Sequence, residues 1–338
     1  MRIEEYYSLE KHNTFHLPVK TRWFMEYGSE EELRRILHDE YFHACASLHI
    51  GSGSNLLFLG DYNGIVLHSA IKGLSLTEET RETVSLRIGA AERWDDVVAY
   101  AVSRGWYGIE NLSGIPGECG AAAVQNIGAY GMEIKDVVEE VEAYDRNTCE
   151  KHTFTRETCR YAYRYSRFRE EDSPCILTHI RIRLAKTPRF VLGYGDLQER
   201  MANLYPGAGL PDVRRTILTI RKEKLPDPEQ TGNAGSFFMN PLIPMRHFEA
   251  LQTAYPGIPS FAAEEEGYVK IPAAWLIEQC GFKGKTQGEA GVYEKHPLIL
   301  INTGNACGSD IARLAESIRE AVAMRFHIGL VPEVKYIG

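Results

Sequence analysis

Several familiar signatures are missing from this chain, and each absence closes a class of function. No two of the seven cysteines (Cys45, Cys119, Cys149, Cys159, Cys175, Cys280 and Cys307) form a Cys-x-x-Cys pair, so no zinc or iron–sulfur site is expected. An odd set of scattered thiols reads as free cysteines in a reducing compartment. The opening residues MRIEEYYSLEKHNT are charged throughout and lack the apolar stretch of a secretion signal. No window reaches the apolar length of a membrane span. Together these point to a cytoplasmic protein with no membrane partner. Positive charge is in deficit, with a net charge of −8, which argues against a nucleic-acid surface. There is no Walker A sequence, no Gly-x-Ser-x-Gly elbow and no complete dinucleotide fingerprint of three spaced glycines.

What remains is an ordinary globular composition, 44% hydrophobic and 25% charged over 338 residues, enough for about two or three domains. Ser29 followed by Glu32 predicts a capping box opening a helix over Glu30–His38. Trp94, Val97, Val98, Ala101 and Val102 share one helical face ending near Gly105. Pro211 and Asp212 open a helix that must stop before Pro226, and Ser309-Asp310 opens a last long one. Alternation predicts strands at Thr83–Ile88, Val137–Tyr144 and Ile180–Leu184, the last with Arg181 and Arg183 on its wet face. Leu298–Asn302 reads as a short apolar strand, and Asp145–Thr148 as a hairpin turn. The two prolines of Leu225-Pro226-Asp227-Pro228 mark the best domain break. The class is α+β or mixed α/β, with no internal repeat.

The most informative segment is the run Gly114–Gly131, GIPGECGAAAVQNIGAYG. Its small residues allow close approach of the backbone to a ligand, whose donors would be main-chain N–H groups. A shorter cluster, Gly51-Ser52-Gly53-Ser54-Asn55, follows the apolar run Ala46–Ile50 and offers N–H groups and hydroxyls to a pyrophosphate. Alone it could be a tight turn; with the long run it suggests one extended ligand held at two glycine-rich surfaces. In Arg160–Phe168, arginines alternate with tyrosines, a pattern that suits a carboxylate beside a planar group or, more plainly, an edge segment with aromatic packing. Gly232–Pro241 places Ser236 at a turn of small residues, where a loop serine is the commoner reading. Glu333, between Pro332 and Val334, would ordinarily be a solvated strand residue.

Taken in order, Gly51–Asn55, the run 114–131, Tyr163-Arg164, Lys224–Pro228, Asn233–Asn240 and Pro332–Val334 change those odds. With Thr14-Phe15 near the start, the chain resembles the UDP-N-acetylenolpyruvoylglucosamine reductases, from about Asn13 to its end. The resemblance implies an α+β fold: a two-part FAD-binding region of the vanillyl-alcohol-oxidase/PCMH type plus a separate α+β substrate-binding domain. Residues 1–70 with 327–338, then 71–225, would form the two FAD-binding parts, and 226–326 the substrate domain. Gly51, Ser52, Gly53, Ser54 and Asn55 would hold the FAD pyrophosphate. Pro116, Gly117, Gly120, Ala121, Asn126, Gly128, Ala129 and Tyr130 would line the flavin. Arg164, Ser236 and Glu333 match the family's catalytic positions. Tyr163, Tyr194, Lys224, Asn240, Lys283 and His296 match positions that grip the nucleotide-sugar substrate, with the tyrosine-bearing segment like the subtype whose loop folds over it.

The implied activity is NADPH-dependent reduction of the enolpyruvyl group in peptidoglycan synthesis, by a monomer that binds no metal. Two positions depart from the family pattern. Lys335 stands where arginine is common, keeping the charge and losing the planar fork, and His296 stands where some relatives carry glutamine. Two other classes share the flavin reading: an FAD-dependent oxidase of an alcohol or sugar, and a flavin-binding module with no activity. Neither accounts for Ser236, Glu333 and Lys224-Leu225-Pro226 occurring together.

Overall fold

The structure, a computed structural model, describes residues 1–202, 207–263 and 265–338. By its internal contacts the chain divides into two units. The first comprises Met1–Tyr7, Thr21–Ser52 and Asn63–Glu223; the second comprises Ser8–Lys20, Gly53–Tyr62 and Lys224–Gly338.

The first unit carries two larger sheets and a two-stranded one, Gly128–Ala129 paired with Met132–Glu133. One larger sheet runs in the order Lys151–Thr155, Val138–Asp145, Cys175–Ala185, Thr83–Gly89, Leu74–Glu79, antiparallel throughout. Alternation works as expected on its central strand: Ile180, Ile182 and Leu184 are buried, while Arg181 reaches Glu139 and Glu140 and Arg183 reaches Glu139 on the other face. The strand is longer than its apolar core suggested, because Cys175, Ile176 and Leu177 also pair with Asp145, Tyr144 and Ala143, beyond a bulge at Thr178. The helix Trp94–Ser103 adds its stripe of Trp94, Val97, Val98, Ala101 and Val102 to the same core. Each large apolar side chain so enclosed contributes about 1.5–3 kcal/mol. Trp94 is fully buried and its indole N–H donates to the Leu112 carbonyl at 3.0 Å; Trp94→Ala would cost about 3–5 kcal/mol.

The other larger sheet runs Arg2–Ser8, Lys20–Tyr27, Tyr62–Ser69, Ser47–Ile50, the last pair parallel. The helix Glu30–Leu37 starts at the Ser29 hydroxyl, which accepts from the Glu32 N–H at 3.1 Å. The reciprocal arm of the expected box lands one residue early, with Glu32 Oε2 accepting from Gly28 N–H at 2.7 Å. The helix Leu210–Lys224 buries Leu210, Val213, Ile217 and Ile220, and ends ahead of Pro226 as its proline requires.

The second unit holds a four-stranded sheet, in the order Gly232–Ser236, Ile299–Asn302, Ala290–Val292, Thr286–Gln287. A three-stranded sheet runs Leu242–Pro244, Tyr268–Lys270, Phe261–Ala262, and Leu56–Phe58 pairs in parallel with Lys335–Ile337. The helix Gly308–Phe326 buries Ile311, Leu314, Ala315, Ile318, Val322 and Phe326 along one stripe. It is capped by Cys307, where the sequence placed the start at Ser309.

Candidate active site

The run 114–131 is fixed from both ends in the first unit. Gly114 donates its N–H to Asp95 Oδ1 at 2.6 Å, and its carbonyl accepts from Arg221 Nε at 3.1 Å. Burial pushes Asp95 upward, but the two-pronged Arg214 contact at 2.6 and 2.8 Å and the Gly114 N–H bring its carboxyl below the usual range. The middle of the run forms a helix that no periodicity announced, Cys119–Gln125, with Cys119, Gly120, Ala122 and Ala123 buried. Its N-terminal edge is tied down by Cys119 N–H to Glu92 O and Gly120 N–H to Ala90 O, both at 2.9 Å. At the far end the Tyr130 carbonyl accepts from Asn111 Nδ2 at 2.8 Å, and the same amide donates to Val191 O at 2.7 Å. Asn111 is fully buried. It holds the end of the run to the segment leading into Tyr194, and no sequence pattern singled it out.

Asn126 closes the short helix in the left-handed region, at φ 46°, with no exposed surface. Its side chain is occupied inside the protein: Nδ2 donates to Glu133 Oε2 at 3.0 Å and to Ala162 O at 2.8 Å, and Oδ1 accepts from Lys135 N–H at 3.1 Å. Its main-chain N–H is used as well, donating to Ala123 O at 3.4 Å.

The first glycine loop spans the division of the chain, with Gly51 and Ser52 in the first unit and Gly53 to Asn55 in the second. Gly53 is obligatory: its φ is +69°, and a Cβ there would lie 1.9 Å from the His12 carbonyl oxygen. The Ser52 hydroxyl is closed off from solvent with no hydrogen-bond partner. Such a group costs about 1–3 kcal/mol unless something accepts its proton, and a phosphate oxygen is a suitable acceptor, so the loop fits the diphosphate of a dinucleotide. Thr14, whose N–H donates to Gly53 O at 3.4 Å, carries an equally enclosed and unpartnered hydroxyl. It belongs with the candidate cofactor residues; the sequence names Thr14-Phe15 as part of the resemblance but gives Thr14 no role.

Arg164 sits in the first unit at the corner of a tight turn. Ala162 and Tyr165 exchange both backbone bonds at 3.0 Å, leaving Tyr163 and Arg164 between them. Arg164 has φ +53°, at the position such turns usually give to glycine, a strain of about 1–3 kcal/mol that often accompanies a working residue. Its Nη2 donates to Gly128 O at 2.9 Å, and its guanidinium carbon lies 5.4 Å from the centre of the Tyr163 ring. The plainer expectation of an edge segment with aromatic packing also holds in part: Phe168 packs edge-on to Phe154 of the edge strand Lys151–Thr155, ring centres 5.2 Å apart, and the Arg167 guanidinium lies 4.6 Å from the centre of the Phe154 ring.

Ser236 and Glu333 lie together in the second unit. The strand Gly232–Ser236 pairs regularly up to Asn233 opposite Ile301, then bulges, so that Ser236 falls opposite Ile299. Gly235 takes φ +69° inside that bulge, its N–H held by Asn233 Oδ1 at 2.9 Å, and Ser236 emerges exposed. Bulges of this kind re-aim a side chain next to active sites. The next residue, Phe237, donates its N–H to Leu298 O and accepts at its carbonyl from the Glu333 N–H, both at 2.8 Å. Asn55 completes the arrangement, Nδ2 donating to Glu333 O at 3.0 Å and its own carbonyl accepting from Lys335 N–H at 3.0 Å.

Around these, the second unit gathers Lys224, Lys283 and His296. Burial first, then the charges of Lys224 and Lys283, hold His296 below the ordinary imidazole range, so it is a neutral donor or acceptor beside two ammonium groups. Lys283 also pairs with Glu278 at 2.7 Å. Asn240 accepts from Ala273 N–H at 2.9 Å, fixing the first turn of the helix Ala273–Gln279. In the first unit, Tyr194 packs edge-on to Tyr130 with ring centres 6.4 Å apart.

Two other features lie outside this set. Glu30, Glu142 and His179 bring potential ligand atoms within 4.8 Å of one another. Those carboxylates already meet cations, Lys151 Nζ at 2.8 Å from both and Arg87 Nε at 2.5 Å from Glu142, which leaves no excess negative charge to draw a metal ion. A cleft of about 340 Å³ in the second unit is lined by His16, Thr231, Asn302 and Thr303 among others, and by none of the expected site residues. It opens at Gly232, roughly 13 Å along the strand from Ser236. No helix of the described residues is long and apolar enough to cross a membrane.

Comparison with known proteins closes the identification. An FAD-binding domain family matches residues 22–150, and the family described as UDP-N-acetylenolpyruvoylglucosamine reductase, C-terminal domain, matches residues 227–337. The protein is therefore an FAD-binding oxidoreductase, mixed α/β with a separate C-terminal domain. A UDP-N-acetylenolpyruvoylglucosamine reductase of Porphyromonas gingivalis is 46% identical over 338 residues, covering all of both chains. One of Bacteroides fragilis is 47% identical over 99% of this chain and all of its own, and one of Pseudomonas aeruginosa 39% identical over 98% of each. The crystal structure of the Thermus caldophilus reductase superimposes with a TM-score of 0.70 at 23% identity over the whole of both chains. The chain belongs to the UDP-N-acetylenolpyruvoylglucosamine reductase family.

Proposed function

We propose that this protein reduces UDP-N-acetylenolpyruvoylglucosamine to UDP-N-acetylmuramate for peptidoglycan synthesis, with FAD as its cofactor and NADPH as the electron source. Ser52 and the N–H groups of Gly51–Asn55 hold the diphosphate of FAD, and the backbone of Pro116–Tyr130 lines its ring system. FAD, when bound there, would supply hydride transfer from NADPH to the enolpyruvyl double bond. The substrate is then left with an electron pair on the carbon beside its carboxylate. Arg164 lowers the energy of that charge through its guanidinium, and Glu333 does so through a shared proton or hydrogen bond. Ser236 donates its hydroxyl proton to the carbon, completing the addition of one hydride and one proton across the double bond.

Lys224 and Lys283, with neutral His296, bind the diphosphate of the nucleotide sugar, and Tyr194, Asn240 and Tyr163 orient it. Binding at this remote handle positions the reacting end. The tyrosine-bearing segment folding over the nucleotide sugar, the three-part division at residues 70, 225 and 326, and the cytoplasmic monomer belong to the same reading. The observation that carries it is Ser236, thrust out by a bulge on a segment hydrogen-bonded to the one bearing Glu333. An alcohol or sugar oxidase has no use for that pair.

The test is the visible absorption of the purified protein under anaerobic conditions. Its flavin bands should bleach with NADPH and return on adding the enolpyruvyl nucleotide sugar. Bleaching reversed by oxygen alone, with no response to the nucleotide sugar, would leave the oxidase reading in its place.

A further inference from the structure

The cofactor-lining run and the turn that carries Arg164 are joined by three side-chain bonds, all within the first unit. Asn126 Nδ2 donates to Ala162 O at 2.8 Å, Ser166 Oγ donates to Val124 O at 2.5 Å, and Arg164 Nη2 donates to Gly128 O at 2.9 Å. Ser166, like Asn126, has no exposed surface. Gly128 is part of the fit, because a Cβ there would lie 3.0 Å from Arg164 Nη1 and 2.8 Å from Glu133 Cγ. Behind Asn126, Glu133 takes the second amide proton and is itself paired with Lys135 Nζ at 2.8 Å. The turn is also closed from its own side, by the paired backbone bonds of Ala162 and Tyr165 and by Arg169 Nη1 donating to Arg164 O. The three side-chain bonds add a tie from the run 114–131, and they fix the turn relative to that run.

We propose that Asn126 is the positioning residue for Arg164. Its amide fixes the Ala162 carbonyl at the root of the turn, and so sets where the guanidinium meets the charge that develops on the substrate. The Ser166 hydroxyl provides a second tie at the other root. Asn126 acts on the second half-reaction through Arg164 and makes no side-chain contact with the cofactor. The inference rests on the reductase reading, since it presumes that Arg164 faces the enolpyruvyl group.

Asn126→Gly is the informative variant, because glycine keeps the left-handed backbone at φ 46° and removes the amide alone. Asn126→Asp is its companion, nearly isosteric but facing Glu133 and Ala162 O with oxygens in place of donors. Stopped-flow absorption should show flavin reduction by NADPH within about twofold of wild type in both variants. Reoxidation of the reduced flavin by the enolpyruvyl nucleotide sugar should slow about a hundredfold, the usual penalty for a misplaced reacting group. The loss should fall on kcat with the substrate KM changed little. In an Arg164→Ala background, Asn126→Gly should cost less than about threefold more, since both variants remove the same contribution.

A second half-reaction within about twofold of wild type in Asn126→Gly would overturn the proposal. So would a full further loss in the Arg164→Ala background, or purified variants that no longer retain flavin, which would make Asn126 a cofactor ligand. If wild-type reduced enzyme itself fails to be reoxidised by the nucleotide sugar, the reductase reading falls and takes this inference with it.

Discussion

The two units hold their proposed reactive groups with different balances of side-chain and main-chain bonds. In the first, Arg164 stands at a strained corner closed by the Ala162–Tyr165 backbone pair and braced by side chains, Asn126, Ser166, Arg169 and its own guanidinium reaching main-chain carbonyls. In the second, Ser236 and Glu333 are carried mainly by main-chain bonds of the sheet and of residues 237 and 333, with Asn55 and Asn233 as supporting side chains. A ladder of peptide groups is indifferent to which side chains it carries, whereas a side-chain clamp is only as good as its members. Sequence change around Arg164 should thus disturb catalysis more readily than comparable change around Ser236, provided the reacting groups themselves are spared.

The largest effect expected is from removing one of those reacting groups. Ser236→Ala should slow the second half-reaction about a hundred- to ten-thousand-fold and leave reduction by NADPH untouched, in separate stopped-flow measurements. Equal loss in both halves would remove the serine from proton donation. Next comes Lys224→Ala, for which steady-state kinetics should give a substrate KM raised about tenfold with little change in kcat, as for a contact made equally in ground and transition states.

A smaller effect concerns stability in the first unit. The Arg87 hydrogen bond and Lys151, working against burial, lower the Glu142 carboxyl from its ordinary 4.5 to about 2. A carboxyl depressed on folding stabilises the protein above its unfolded pKa and loses that contribution as pH falls through the folded one. Melting temperature should therefore decline between about pH 4.5 and 2, and Glu142→Gln should shallow that decline while lowering the neutral-pH melting point by about 2–4 °C. An acid limb unchanged in the variant would assign the decline to other groups.

The smallest effect tests the backbone side of the comparison. In Asn55→Ala the Glu333 N–H still bonds Phe237 O at 2.8 Å, so turnover should fall by less than about threefold, the worth of roughly half a kcal/mol. A hundredfold loss would mean that the second unit, too, depends on a side-chain clamp.

Much of this was legible in the residues. The helix Trp94–Ser103 and the strand Thr83–Gly89 were found because their apolar spacing is the physics that forms them. The run 114–131 stood out because only a backbone pressed against something needs so many small residues. Its helix, Cys119–Gln125, was not foreseen, because alanine and glycine carry too little hydrophobic contrast to show a period. Asn111, the role of Thr14 and the amide of Asn126 escaped for a different reason. Their partners Val191, Gly53 and Ala162 lie 80, 39 and 36 positions away, and no local pattern encodes a bond of that span.

Cys119, sealed inside that short helix with its thiol pushed well above the ordinary range by burial, is inert to alkylating reagents while the helix stays closed. Exposed Cys307 would react at once and set the zero of the clock. The lag before the buried sulfur is modified then times how often this stretch of the cofactor bed breathes open.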